Sequence, residues 1–182
     1  MAVREERYVA LLRGINVGGN NLIKMAALKA TFEALKFRDV STYIQSGNVV
    51  FTTARADVGT LEGTLEQALS AEYGYQALVV VRSRQQLQSI VALKPSGFGE
   101  EPALFRYDVV FLKAPLTSTQ AMKSVSTRED VDEAHAGNGV IYFSRVVKLA
   151  SRSKLPKLAS MPVYKQVTVR NWNTTTKLLA LM

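Results

Sequence analysis

The chain has 182 residues, of which 47% are hydrophobic, so it is long enough to bury a core in one large domain or two small ones. It has no cysteine and one histidine, His135, which excludes disulfides, thiolate catalysis and cysteine metal sites and makes any histidine-based site depend on one residue. Its N-terminus does not resemble a signal peptide, and no run of about 18 apolar residues occurs. We therefore expect a cytoplasmic protein with no membrane span, no metal and no cofactor.

The formal net charge of +8 is unevenly distributed along the chain. Residues 1–133 contain 15 basic and 15 acidic side chains, whereas residues 134–182 contain eight basic side chains and no acidic one. A basic segment of this kind attracts phosphate-rich partners, which favours contact with a nucleotide or nucleic acid. A solvated basic surface that aids solubility explains the same charge, and the sequence leaves both explanations open.

Hydrophobic periodicity in the first half of the chain alternates between that of strands and that of helices. A turn signal at Ser46-Gly47-Asn48 and helix-end signals at Asp57 and Gly74 separate the segments. The predicted elements are the strand 8–13, the helix 25–35, the strands 40–45 and 49–53, the helix 57–74 and the strand 77–81. This order is that of a ferredoxin-like unit, in which helices cover one face of an antiparallel sheet.

The second half repeats this order of elements without close sequence repetition. A capping pattern formed by Ser83 and Gln86 predicts a linking helix, and the loop 94–102, with two prolines and two glycines, marks a boundary. Pro156 limits the regularity of the predicted short helix. The elements predicted beyond the loop are the strand 105–112, the helix 117–125, the strands 130–136 and 140–144, the short helix 153–160, the strand 165–169 and the helix 171–181.

We therefore predict an α+β protein with two ferredoxin-like (β-α-β-β-α-β) units, antiparallel sheets, a linking helix and an added C-terminal helix. The predicted domains are residues 1–82, a linking helix and loop over residues 83–104, and residues 105–182.

A polar, glycine-rich loop follows the first predicted strand and is the first candidate site. In a ferredoxin-like sheet the first and third strands are neighbours, so this loop and the turn before the third strand are expected to converge. Glycine allows close backbone approach, and arginine binds anionic oxygens with two parallel hydrogen bonds, which favours a phosphate or carboxylate ligand. The candidate ligand-binding residues are Arg13, Gly14, Asn16, Gly18, Gly19, Asn20, Lys24, Gln45, Ser46, Gly47 and Asn48.

The same residues have a simpler explanation, because asparagine and glycine commonly satisfy the backbone of turns. Neither of the phosphate-binding patterns G-x-x-x-x-G-K-[ST] and G-x-G-x-x-G occurs in the loop. The loop therefore predicts the position of a site more definitely than its ligand.

A second candidate site precedes the predicted C-terminal helix, where Arg170 and Trp172 flank Asn171. Asn171 is a natural helix cap, and Trp172 either stacks on a ring of a ligand or packs the helix on the core. Lys154 and Lys177 add positive charge to this part of the chain. By contrast, we expect His135 beside Glu133 to lie on a solvated strand surface, with no second histidine for a metal site.

Four sequence stretches together resemble a known family: LLRGINVGGNNLIKM, TYIQSGNVVF, SRSKL and RNWNTTTKL. The family is called domain of unknown function 1697, and the resemblance covers essentially the whole chain. It implies a two-lobed protein of ferredoxin-like units, mostly bacterial in occurrence, with no established activity. Val169 stands where the family often has threonine.

Three functions are compatible with these features. The first is binding of a phosphate-bearing ligand, a nucleotide or single-stranded nucleic acid, through the glycine-rich loop and the basic C-terminal region. The second is an enzyme in which Arg13, Lys24 and Asn48 stabilise a developing anion, although the conspicuous loops supply no general base. The third is a structural or partner-binding protein with no small-molecule ligand.

Overall fold

A computed structural model describes residues 4–182 and shows a mixed α+β protein with two four-stranded antiparallel sheets. The strands are β1 (Glu5–Leu12), β2 (Arg38–Tyr43), β3 (Asn48–Ala54), β4 (Val79–Ser83), β5 (Phe105–Leu112), β6 (Asp132–Gly137), β7 (Val140–Val146) and β8 (Val167–Asn171). The α-helices are α1 (Met25–Ala34), α2 (Val58–Tyr73), α3 (Arg84–Ala92), α4 (Ser118–Met122) and α5 (Trp172–Leu181). The predicted fold class is confirmed.

The chain forms two compact units, each with its own sheet. One contains the residues up to Gln88 together with Leu178–Met182, and the other contains Ser89–Lys177. We call them the N-terminal unit and the C-terminal unit. The predicted domain limits at residues 82 and 105 stay a prediction.

The sheet of the N-terminal unit has the strand order β2-β3-β1-β4. Because β1 lies between β3 and β4, it is buried along most of its length, and α1 and α2 cover one face of the sheet. Aromatic rings fill the core on that face, where Phe51 packs between Tyr8, Phe32 and Phe37 with ring centroids 4.6–5.8 Å apart. This central position of β1 directs its end at Leu12 toward the turn before β3.

The edge strand β4 is protected by two carboxylates of α2. The Val79 N–H donates to Glu66 Oε1 and the Val81 N–H donates to Glu62 Oε1, each over 2.9 Å. Glu62 and Glu66 are four residues apart and therefore lie on one face of the helix. Unpaired strand edges pair readily with other chains, and here two N–H groups of the β4 edge are already occupied by these carboxylates.

The sheet of the C-terminal unit has the order β6-β7-β5-β8, which is the same arrangement. Its connection from β7 to β8 differs from the predicted short helix at 153–160. Three 3-10 helices form it, Val147–Arg152, Leu155–Ser160 and Pro162–Gln166. Prolines at the starts of the second and third 3-10 helices interrupt regular α-helical hydrogen bonding, which explains the difference. We call residues 147–166 the basic crossover.

We expect Glu66→Ala to lower the free energy of unfolding by about 1–3 kcal/mol, because the Val79 N–H loses a charged acceptor. Urea denaturation of the full chain measures the change. The exposed neighbour Gln67 provides the control, since Gln67→Ala is expected to change stability by less than about 0.5 kcal/mol. Equal losses in the two variants would contradict a specific role for Glu66.

Candidate functional site

The glycine-rich loop after β1 and the turn before β3 lie side by side in the N-terminal unit. The Leu12 N–H donates to the Gly47 carbonyl over 2.8 Å, and the Asn16 Nδ2 donates to the Gln45 carbonyl over 2.9 Å. We call residues 13–24 the glycine loop and residues 44–47 the facing turn. The structure therefore brings together the two segments that the sequence places far apart.

Asn16 holds the glycine loop in shape. It adopts the left-handed conformation with φ of 54°, which asparagine tolerates better than most residues. Its Nδ2 also donates to the Ile23 carbonyl over 3.0 Å, and its Oδ1 accepts from the Ile23 N–H over 2.8 Å. Asn21 adds a hydrogen bond from its Nδ2 to the Gly14 carbonyl over 2.9 Å. The Asn16 amide is thus used within the loop.

Asn48 and Gly47 shape the facing turn. Asn48 is 0% exposed, and its Nδ2 donates to the Tyr43 carbonyl and to Ser46 Oγ, each over 3.0 Å. Gly47 has a φ of 76°, and a Cβ there would lie 2.8 Å from Leu12 Cβ. Both residues therefore have structural reasons to be present, independent of any ligand.

The outer surface of the glycine loop offers exposed backbone and positive charge. Gly14, Gly18 and Gly19 have positive φ of 70°, 59° and 78°, which glycine adopts without strain. Lys24 is the N-cap residue of α1, and its side chain makes no capping hydrogen bond. Arg13 is half-buried, and the exposed predicted residues are Gly14, Gly18, Gly19, Asn20, Lys24 and Gln45.

Arg170 lies inside the C-terminal unit. Its Nη1 donates to Thr168 Oγ1 and to the Val169 carbonyl, each over 2.8 Å. Burial lowers the pKa of Arg170 to about 10, and the nearby Tyr164 acts in the opposite direction. The hydroxyl beside this guanidinium therefore comes from Thr168, one residue before Val169.

Asn171 and Trp172 have structural roles in the C-terminal unit, Asn171 as a helix cap and Trp172 as a packed aromatic ring. Asn171 Oδ1 accepts from the Thr174 N–H over 2.7 Å and so caps α5. The indole of Trp172 packs edge-on against Phe98, with centroids 5.2 Å apart. A Cβ at Gly99 would overlap the indole, so glycine is needed there for this packing.

The same two residues line a pocket of about 340 Å³ in the C-terminal unit. Its apolar side is formed by Pro102, Phe105 and Trp172, and its polar residues include Arg106, Asp108, Arg145 and Asn171. We call it the α5 pocket. Sequence patterns did not point to Arg106, Asp108 or Arg145, although alternating polar residues at the start of the otherwise apolar strand β5 were a signal for Arg106 and Asp108.

A buried ion pair lies in the α5 pocket. Arg145 Nη2 and Asp108 Oδ2 are 3.1 Å apart, and both side chains are largely buried. Burial raises the pKa of Asp108, whereas the positive charges of Arg145 and Arg106 oppose this effect. Removal of the Asp108 carboxylate from water therefore affects its pKa more strongly than the two neighbouring positive charges do.

The basic crossover carries the remaining positive charge of interest. Lys148, Arg152, Lys157 and Lys165 are exposed, and Lys154 is half-buried. Within residues 4–182 none of these five side chains forms an ion pair with an acidic residue. Lys177 is exposed on α5.

No group of three or more potential metal ligands occurs within the described part of the chain. His135 is 52% exposed at the side chain, with its Nε2 3.7 Å from Glu133 Oε2, which agrees with a solvated strand surface. Among the helices of residues 4–182, none combines the length and apolar character needed to cross a membrane.

Comparisons with known proteins agree with the fold. A family model described as Protein of unknown function (DUF1697) matches residues 6–142. Among solved structures, the conserved bacterial protein SP0830 from Streptococcus pneumoniae is 26% identical, with a TM-score of 0.84 over 98% of this chain and 99% of that chain. No curated protein matches.

We expect Asn16→Gly to open the glycine loop, because glycine keeps the left-handed backbone but removes three hydrogen bonds. Hydrogen exchange of the Ile23 amide is the measurement, and its protection is expected to fall at least roughly tenfold, equivalent to about 1.4 kcal/mol. Asn20→Gly, an exposed change in the same loop, is the control. Unchanged protection of Ile23 in Asn16→Gly would contradict this role.

We expect Asp108 to make stability depend on pH. Because its pKa is raised above the ordinary value of 3.8, its contribution is fully present below that value and is lost as pH rises through the folded-state pKa. Chemical denaturation between about pH 4 and pH 8 measures this loss, and Asp108→Asn is expected to abolish it. Glu129→Gln removes an exposed carboxylate and is expected to keep the wild-type profile.

Proposed function

The chain belongs to the family of proteins of unknown function DUF1697, and we propose that it binds a phosphate-bearing ligand, either a nucleotide or a single-stranded nucleic acid. The binding residues proposed are those of the glycine loop and facing turn, together with basic residues of the C-terminal unit. The exposed, positively charged face of the glycine loop carries this proposal.

The glycine loop supports anion binding through its backbone. Gly14, Gly18 and Gly19 are exposed, and within residues 4–182 their N–H groups donate no hydrogen bond. Asn16 and Asn48 hold the surrounding backbone in place, so the N–H groups need little ordering when an anion arrives. Arg13 at the start of the loop and Lys24 at its end supply positive charge.

The basic crossover supports a partner with several phosphates. Lys148, Arg152, Lys157 and Lys165 are exposed within 18 residues, and the last acidic residue of the chain is Glu133. Within residues 4–182 these four side chains form no ion pair with an acidic residue, although the Asp132 carboxylate accepts from the backbone of Lys154 in the same segment. This surface suits the repeating charge of a nucleic acid better than a single phosphate.

Fewer observations support the two alternative functions, an enzyme and a structural or partner-binding protein. Asn48 is fully buried with its Nδ2 engaged, so an enzyme acting through the facing turn would need other donors for a developing anion. Asn16 and Asn48 favour the structural explanation for their own positions. Neither observation accounts for the exposed glycines and Lys24.

A thermal-shift titration with ATP tests the nucleotide version. At a ligand concentration of about 100 times Kd, binding stabilises the folded state by about 2.7 kcal/mol, which gives a clear rise in the unfolding midpoint. We expect Lys24→Gln to abolish or strongly reduce this rise. Lys29→Gln removes one exposed charge from α1 beyond the loop and is the matched control. No rise with wild-type protein, or equal rises in both variants, would contradict nucleotide binding at the loop.

Gel retardation of a single-stranded oligonucleotide tests the nucleic-acid version. Affinity is expected to fall steeply with salt, and the triple variant Lys148→Gln, Lys157→Gln, Lys165→Gln should reduce the salt slope by about 2. Lys29→Gln again serves as the control. Failure of the wild-type protein to retard the oligonucleotide at low salt would exclude this version.

A further inference from the structure

We propose that the α5 pocket is a second ligand site, for a small molecule with one carboxylate and an apolar ring, and that binding takes up a proton at Asp108. The site is separate from the glycine loop and does not rest on the function proposed above. Its volume of about 340 Å³ falls within the range of small-molecule pockets.

The α5 pocket has an apolar side and a polar, charged side, as small-molecule sites commonly do. Pro102, Phe105 and Trp172 offer apolar surface, whereas Arg106 and Arg145 place two guanidinium groups on the polar side. The register sets these arginines directly opposite each other on β5 and β7. Because opposite residues of antiparallel strands point to the same sheet face, both arginines can engage one ligand group.

The arginines identify the ligand group as a carboxylate. Arg145 is paired with Asp108 over 3.1 Å, whereas Arg106, opposite Arg145 in the register, is exposed and can receive a ligand carboxylate. The apolar side then accepts the rest of the molecule. A neutral molecule of the same shape would lack this charge-assisted hydrogen bond to Arg106.

Asp108 connects binding to pH. The charged groups that face it are Arg106 on its own strand and Arg145 on β7, with Asp132 of β6 opposite Arg145 in the register. From β8 and the start of α5 only the uncharged Asn171, Trp172 and Asn173 line the pocket. A bound carboxylate brings a second negative charge close to a carboxylate already disfavoured by burial, so Asp108 becomes protonated and then donates a hydrogen bond.

Trp172 allows a direct test, because it is the only tryptophan of the chain and lines the pocket. Its fluorescence is titrated with benzoate, and with benzamide as the neutral control. We expect saturable changes with benzoate alone. Affinity should rise as the pH is lowered, by at most roughly tenfold for each pH unit. A response absent for benzoate, or equal for benzamide, overturns the site.

Variants test which residues bind benzoate and which residue causes the pH dependence of binding. Arg106 is exposed, and Arg106→Gln is expected to weaken benzoate at least roughly tenfold, whereas Lys123→Gln, an exposed charge of the same unit outside the pocket, leaves affinity unchanged. Lys24→Gln also leaves it unchanged, which separates this site from the glycine loop. Asp108→Asn is expected to bind benzoate without pH dependence, and persistence of that dependence overturns the role of Asp108.

Calorimetry covers the case in which Asp108→Asn does not fold. Benzoate binding to the wild-type protein is measured near pH 7 in two buffers of different ionisation enthalpy. The difference in heat gives the number of protons taken up with each ligand, for which we expect a positive value. A value of zero overturns the coupling.

Discussion

The side-chain amide of Asn16 is the interaction on which the exposed face of the N-terminal unit depends. It bonds to both backbone groups of Ile23 and to the carbonyl of Gln45, and so closes the glycine loop and fastens it to the facing turn. Strand pairing alone brings β1 beside β3 and ends at Leu11 and Asn48. Beyond Arg13, whose N–H still donates to the Leu78 carbonyl, the side-chain amide of Asn16 connects the glycine loop to the facing turn.

The glycine loop and the facing turn contain two kinds of polar residue, which differ in the groups they contact. Asn16 and Asn48 satisfy backbone groups that would otherwise lack partners, which is a cost the fold must meet with or without a ligand. The N–H groups of the exposed glycines and the side chain of Lys24 make no hydrogen bond within residues 4–182. The residues that stabilise the motif therefore differ from those that remain available to a partner, although the sequence mixes them.

The C-terminal unit combines the same strand order with different chemistry. Its 3-10 basic crossover contains no acidic residue of the kind that α2 places against β4. At the start of α5, an apolar side and a buried Asp108–Arg145 pair form a pocket within one unit. Buried ion pairs contribute little net stability against desolvation, so the Asp108–Arg145 pair is not by itself a strong stabilising feature.

The sequence by itself determined the order of strands and helices, because hydrophobic periodicity and turn residues act over short distances, and β5 was predicted with its observed bounds. It also indicated that the glycine loop and the facing turn converge. Only the tertiary structure decided that Asn16 and Asn48 are engaged in holding backbone, that Arg170 is buried, and that Arg106, Asp108 and Arg145 share a pocket. These properties depend on register and packing between residues distant in the chain, which no local pattern encodes.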